Sequence, residues 1–369
     1  MTATVEAPPR TEAAREKPSA LLITGIASHL ARRLAERLVG DPLFPRVIGI
    51  DYIAPVQPVP GVETLRFDLL DPGLRELLRS EKVTAIAHLL WLPEPLDIDA
   101  ALRVNVGGTL RLVAAAAEAG VRALAFRSST SIYGASPANP LFIAEDAFGD
   151  GAPGDRRAQH LLEVEAHLAG AGGRRPGLAM AVLRLAPILG AGAESRLAAY
   201  LRPPTVPTAL GFDPRIQLIH EDDAVEAIAH ALRTRFAGAV NVAAPGVLPL
   251  HRVLRLLGRT AVPLPRALLG AALMLHARLA GRPHLRMDGD ALRSPPVGEL
   301  RRMERDLGFR PRLDALSAVQ AVAAQARAHG GDGWALSNGE LAARREADAE
   351  RDRLREALRR GVTGERHGK

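Results

Sequence analysis

The sequence predicts an α/β fold: a doubly wound parallel sheet with a smaller C-terminal lobe. Three observations carry this. Short continuous apolar runs alternate with stretches of helical periodicity, the pattern of strands buried on both faces and joined by crossover helices. The first run, "ALLITG", ends on Gly25 and passes straight into a helical stretch, "LARRLAERLVG", that stops on another glycine. The second run, "RVIGID", ends on Asp51, twenty-six positions after Gly25.

The elements follow in order. "TLRFDL" reads as a third strand and "PGLRELLRS" as a helix opened by proline. "VTAIAHLLW" is a fourth strand, and "ALRVNVGGTLRLVAAAAEAG" a long helix closed by glycine. "RALAFRSS" is the fifth strand. The loop "GASPANPLFIAEDAFGDGAPGD" then leads to a helix, "RRAQHLLEVEAHLAG", and a sixth strand, "LAMAVLRLAPILG". Residues 191–216 hold several prolines and read as a loop of the smaller lobe. "HEDDAVEAIAHALRT" is a helix whose acidic first turn suits the positive end of its dipole. "AVNVAAPG" is a further strand, and residues 249–315 mix helices with Pro-rich connections. Residues 1–18 read as a polar disordered tail, 19–190 as mainly the sheet domain, 191–325 as the lobe with returning sheet elements, and 326–369 as a charged, partly helical tail.

Composition narrows the chemistry. The 369 residues contain no cysteine, which removes disulfides, thiolate metal sites and a thiol nucleophile. The net charge of +7 is carried by arginine, since Lys17, Lys82 and Lys369 are the only lysines. No basic run is interleaved with aromatics, so the charge reads as solvated surface and no nucleic-acid partner is expected. The N-terminus has no apolar leader, and no run has the length and apolarity of a membrane span, so a cytoplasmic protein is expected. The nearest run, residues 267–281, is interrupted by His276 and Arg278 and reads as an amphipathic or buried helix.

A strand ending on glycine before a helix brings backbone amides to an anion, and the helix dipole assists. A carboxylate at the end of the second strand accepts ribose hydroxyls and repels a 2′-phosphate, which favours NAD over NADP. Asp51 as a plain loop cap is the competing reading.

Several segments, in order, resemble the extended short-chain dehydrogenase/reductases, the NAD-dependent epimerase/dehydratase family that includes UDP-glucose 4-epimerase. They are "TGIASHLA", "GID", "FDL", "HLLWLP", "NVGGTLRLVAAAAEAGVRALAFRSSTSIYG", "LRLAPILG", "IQLIHEDDAVEAIAHAL" and "LGFRPR". The resemblance spans roughly residues 20–325 and implies a Rossmann-type dinucleotide domain. It implies that Gly25, Ser28, His29 and Leu30 line the cofactor pyrophosphate, that Asp51 binds the adenosine ribose, and that Asp68 and Leu69 flank the adenine. Leu89, Leu90 and Trp91 would pass along the cofactor, with Asn105 holding that loop or touching the cofactor. Ser128 and Ser129 would lie beside the nicotinamide and Pro187 beneath it. A small-molecule substrate, with a nucleotide sugar or another hydroxyl/carbonyl compound leading, and a homodimer are implied in the same way.

Two departures stand out. Ser28 and Ala31 occupy positions where the family's TGxxGxxG has glycine, so the pocket is expected to be modified but able to bind. The family's catalytic Ser, Tyr and Lys are reduced to Ser129. Of the three tyrosines, Tyr52, Tyr133 and Tyr200, none falls in a YxxxK, and no lysine lies between Lys82 and Lys369. Alignment of the glutamates puts Asp155/Gln159 or Arg157/Leu161 where Tyr/Lys should be. His160, His167 and Tyr133 remain as substitute acid–base groups. His220 with Asp222 and Asp223 reads as a helix start rather than a metal site. A non-catalytic dinucleotide-binding sensor or interaction protein is the alternative to an enzyme.

Overall fold

Alternation along the strands decides the architecture. In the computed structural model, which describes residues 19–55, 57–91, 102–147, 155–172, 177–282 and 285–328, the first strand β1 (Ala20–Thr24) is buried on both faces. Leu21 and Ile23 enter one core layer with Leu30, Leu34 and Leu38, while Leu22 enters another with Leu74, Leu78 and Leu112. Helices on both faces of a parallel sheet follow from that pattern.

The elements continue as α1 (His29–Leu38), β2 (Arg46–Asp51), β3 (Val62–Arg66), α2 (Leu74–Ser80), β4 (Val83–His88), α3 (Thr109–Ala119), β5 (Ala123–Ser129), α4 (Arg156–Gly172) and β6 (Ala179–Leu185). Then come β7 (Ile188–Leu189), α5 (Arg196–Leu201), β8 (Thr205–Ala209), β9 (Arg215–Ile216), β10 (Ile219–His220), α6 (Glu221–Thr234) and β11 (Gly238–Val242). The remainder is β12 (Leu248–Pro249), α7 (Leu250–Leu256), β13 (Thr260–Leu264), α8 (Arg266–Leu279), α9 (Arg301–Arg305) and α10 (Ala315–Ala328).

Seven parallel strands form one sheet in the order β11-β6-β5-β4-β1-β2-β3. The order reverses between β1 and β4, and the crevice outside their carboxyl ends is where such sheets bind ligands. Three two-stranded sheets, β10-β7, β12-β9 and β13-β8, lie outside this sheet among the described residues.

Two expectations are corrected. Residues 191–216 are not a plain loop, because they fold as α5, β8 and β9; Ser195 caps α5 by accepting the Ala198 N–H at 3.0 Å. The long helix before β5 contains a π-helical turn over Arg103–Gly108 and continues as an α-helix from Thr109. There the Thr109 hydroxyl bonds the Asn105 carbonyl at 2.5 Å, and Gly108 brings the helix so close to Leu69 that a Cβ would lie 3.3 Å from it. The 267–281 run folds as α8, which buries Leu269, Leu273 and Ala277 and exposes Leu268, Leu275 and Leu279, so apolar side chains lie on both its buried and its exposed sides. The N-terminal tail and residues 329–369 lie outside the described residues. Among the described residues no helix is long and apolar enough to cross a membrane.

Candidate functional site

The turn after β1 is built by its own side chains. Gly25 takes φ +79°, and a Cβ there would lie 2.8 Å from the backbone N and Cα of Leu90, so the turn needs glycine. Ser28 is the N-cap of α1 in extended geometry, φ −80°, where glycine is not required. Its hydroxyl donates to the Gly25 carbonyl at 2.8 Å and accepts the Ala31 N–H at 3.4 Å. Serine therefore closes the turn from within. Ala31 is fully buried, and its small size lets α1 pack on the sheet. The N–H groups of His29 and Leu30 make no hydrogen bond among the described residues, as expected for the first turn of a helix that presents donors to an anion. The His29 side chain points elsewhere: its Nε2 meets Glu221 Oε2 at 3.0 Å, packed against Gly192.

Asp51 is buried at the end of β2. One carboxylate oxygen accepts the Ala27 N–H at 3.0 Å and the other the Tyr52 N–H at 2.7 Å, so it also anchors the turn. Asp68 is exposed beyond β3 and accepts from the Tyr52 hydroxyl at 2.9 Å and from the Leu70 N–H at 2.7 Å. Burial, with the Asp68 charge beside it, pushes the Tyr52 phenol well above its usual range, so it stays a donor. Leu69 is buried beside it. Sequence reasoning missed Tyr52, although its place directly after Asp51 was a signal.

Past β4, Leu89 and Leu90 are buried and Trp91 is half-buried, its ring tilted 6.4 Å from that of Phe126. A buried chain holds this loop. Thr109 gives its proton to the Asn105 carbonyl, so it accepts from His88 Nε2 at 2.8 Å. His88 Nδ1 then accepts from the Thr24 hydroxyl at 2.7 Å, and Thr24 accepts the N–H groups of Leu89 and Leu90 at 3.2 and 3.1 Å. Every member is satisfied only if His88 is neutral with the proton on Nε2. Burial pushes its pKa down to about 3.

His88 therefore makes stability pH-dependent. Below the unfolded-state pKa near 6.5 the unfolded chain takes up a proton that the folded chain refuses, so stability falls as pH drops towards 3. From pH 7 to pH 4 the expected loss is roughly 3 kcal/mol. Urea unfolding at the two pH values checks it. His88→Gln is less stable at pH 7 but has a shallower pH slope, and an unchanged slope would assign the acid sensitivity elsewhere.

A separate cavity, about 150 Å³, opens between the carboxyl ends of β5 and β6 and the lobe. Ser128, Ser129, Pro187, Asp155, Arg157 and Arg127 line it. Ser129 caps the short 3-10 turn Thr130–Tyr133 by accepting the Ser131 N–H at 3.1 Å, which leaves its own proton to donate. The Ser128 hydroxyl instead turns to the opposite face of β5 and donates to Glu165. Glu165 holds Arg184, and Arg184 donates to the Tyr133 hydroxyl at 2.9 Å.

The substitutes for the missing pair fare unequally. Tyr133 is a buried structural group, its hydroxyl donating to Asn241 Oδ1 at 2.6 Å. His160 is buried away from the cavity lining, and the exposed His167 bonds the carbonyl of Glu163 in its own helix. Leu161 lies in the core and Gln159 faces outward. Asp155 does reach the cavity, gripped by both terminal nitrogens of Arg196 at 2.5 and 3.2 Å. Burial raises its pKa, but the Arg196 fork and charge outweigh that and hold it below the usual carboxylate range. It is a carboxylate with no proton to give. No spacing in the sequence signalled this pair, whose members are forty-one residues apart. His220 caps α6, its Nδ1 accepting the Asp222 N–H at 3.3 Å, and Asp223 accepts the N–H groups of Arg312 and Leu313.

The model of the NAD dependent epimerase/dehydratase family matches residues 21–243. The chain belongs to this family. An uncharacterised protein of Mycobacterium tuberculosis is 34% identical over 261 residues, covering 67% of this chain and 68% of that protein. The fold is that of UDP-glucose 4-epimerases. The Stenotrophomonas maltophila enzyme, solved with NAD and formylated UDP-arabinopyranose, superposes with a TM-score of 0.65 at 18% identity, over 84% of this chain and 99% of that one. The Thermus thermophilus enzyme with NAD gives 0.63 at 22%, over 83% and 98%. The chain has the glycine turn after β1 and Ser129, and none of its three tyrosines is followed four positions later by a lysine.

Proposed function

We propose that the chain is an NAD-dependent epimerase/dehydratase-like oxidoreductase acting on a hydroxyl/carbonyl substrate, with a nucleotide sugar leading and proton handling unlike that of its family. The phosphate turn carries the reading. Gly25 leaves no room for a side chain, Ser28 spends its hydroxyl inside the turn, and the His29 and Leu30 N–H groups remain for a pyrophosphate. Asp51 would accept the adenosine ribose hydroxyls, and its charge disfavours a 2′-phosphate. Asp68 and Leu69 would border the adenine, Leu89, Leu90, Trp91 and Asn105 the middle of the cofactor, and Ser128 and Pro187 the nicotinamide end. NAD would supply a hydride acceptor and donor, while the protein supplies orientation.

At the cavity, Ser129 donates a hydrogen bond to the reacting oxygen. Asp155, ionised against Arg196, accepts a proton and does not begin as the acid. The nucleotide-sugar class comes from the UDP-sugar complexes of the neighbouring structures.

A second reading, dinucleotide binding without turnover, is favoured by Leu161, which puts an apolar core residue at one of the positions where the family's lysine would fall. Titration of the full chain with NADH, read as energy transfer from Trp91, tests the binding that both readings share. Binding of NADH over NADPH is expected. Asp51→Ala should weaken it about 100-fold, the loss of two hydrogen bonds to a charged acceptor at ~1.5 kcal/mol each. Reduction of bound NAD by a UDP-sugar, lost in Ser129→Ala, would select the enzyme; tight NADH binding without turnover across a panel of nucleotide sugars would select the binder.

A further inference from the structure

Arg127 is the one charged residue of β5, "ALAFRSS", in a sheet covered on both faces. Side chains alternate along β5, so Arg127 and Ser129 share the face that Ser128 turns away from. Their Cα atoms are on the order of 7 Å apart. Both line the cavity between the sheet and the lobe.

The buried arginine nearby is fully engaged: Arg184 is bound by Glu165, Tyr133 and the Glu145 carbonyl. Arg196 is gripped by Asp155. Among the described residues, no hydrogen bond or ion pair reaches Arg127. Glu194 acts on it electrostatically, from beyond ion-pairing distance. A guanidinium has five N–H donors and does not lose its charge in a protein. Arg127 is half-buried in the cavity wall, so its donors face the water of the cavity, which a bound anion would displace.

We propose that this cavity binds an oxyanion of the substrate, a carboxylate or a phosphate, through the guanidinium of Arg127, beside the oxygen that Ser129 holds. The planar fork matches two oxygens of either group. The substrate class is thereby narrowed to hydroxyl/carbonyl compounds with an anionic group near the reacting carbon. This deepens the proposed function and rests on the cavity being its substrate site.

The test uses the full chain as wild type, Arg127→Met and Arg127→Lys. Thermal unfolding is followed in sodium glucuronate, in inorganic phosphate, in neutral glucose, and in sodium chloride at matched ionic strength. In chloride the Met variant, which removes a half-exposed charge and keeps the volume, is expected to melt close to wild type. Wild type gains stability with one oxyanion, and the apparent affinity falls at least tenfold in the Met variant, with Lys between. Protection by glucuronate alone assigns a carboxylate, and by phosphate alone a phosphate. Equal responses of wild type and Met variant to both anions, or no response in wild type, overturn the proposal. NADH titration of the same proteins separates it from the cofactor reading. Loss of NADH binding in the Met variant with the anion response intact puts Arg127 in the cofactor site and overturns the proposal. An Arg127-dependent anion response in a chain that binds no NADH upholds it and overturns the cofactor reading alone.

Discussion

Replacing Glu165 with alanine is expected to destabilise the protein by about 3–5 kcal/mol, the cost of stranding a buried charge. Arg184 is 1% exposed, and its Nε and one Nη donate to a single Glu165 oxygen at 2.9 and 2.7 Å. The other Glu165 oxygen accepts from Ser128. The remaining Arg184 nitrogen reaches Tyr133 and the Glu145 carbonyl, and Tyr133 reaches Asn241 on β11. Asn241 in turn donates from its backbone to Glu145 at 2.8 Å and from its side chain to the Ile143 carbonyl at 3.0 Å. One ion pair thus ties α4, β5, β6 and β11 beneath the cavity. Urea unfolding of the full chain measures the loss. Glu165→Leu combined with Arg184→Met should recover most of it, since an apolar pair of similar volume avoids the desolvation of both charges. A loss below about 1 kcal/mol in the alanine variant would mean that water reaches Arg184 and replaces the carboxylate.

Gly25→Ala is expected to cost about 2–4 kcal/mol and to weaken NADH binding at least about tenfold. Two causes add. The backbone sits at φ +79°, which L side chains rarely adopt, and the new Cβ would meet backbone atoms of Leu90, which cannot rotate aside. The turn must move, and the His29 and Leu30 N–H groups move with it. Ser28→Gly is the matched control. It removes a cap that glycine partly replaces, at a few tenths of a kcal/mol, and leaves NADH affinity unchanged. Thermal unfolding and NADH titration of the two variants distinguish the outcomes. Equal behaviour would mean that the turn tolerates a side chain at either position.

Much of the site was legible because it is local. Gly25, Ser28 and the start of α1 lie within a few residues of one another, and Asp51 lies at the end of the strand paired beside β1. The acidic opening of α6 was legible for the same reason, since negative charge suits the positive end of a helix dipole within its first turn. The missing Tyr–Lys pair needed only a count of tyrosines and lysines. The helix before β5 was read as one helix, and nothing in its local periodicity marks the π turn over Arg103–Gly108.

By itself, then, the sequence determined the doubly wound sheet, the succession of its strands up to β6, the glycine turn after β1 and the absence of a YxxxK. Each is set by periodicity, glycine conformation or residue identity, which act over a few positions. Only the tertiary structure decided that Asp155 is held ionised by Arg196, that Tyr133 belongs to a buried network, that His88 is locked neutral, and that Arg127 faces the cavity beside Ser129. These depend on partners brought together from distant parts of the chain, or on which face of a strand looks into a cavity. The charge state of a buried group is fixed by such neighbours and by its distance from water, and neither is written in local sequence.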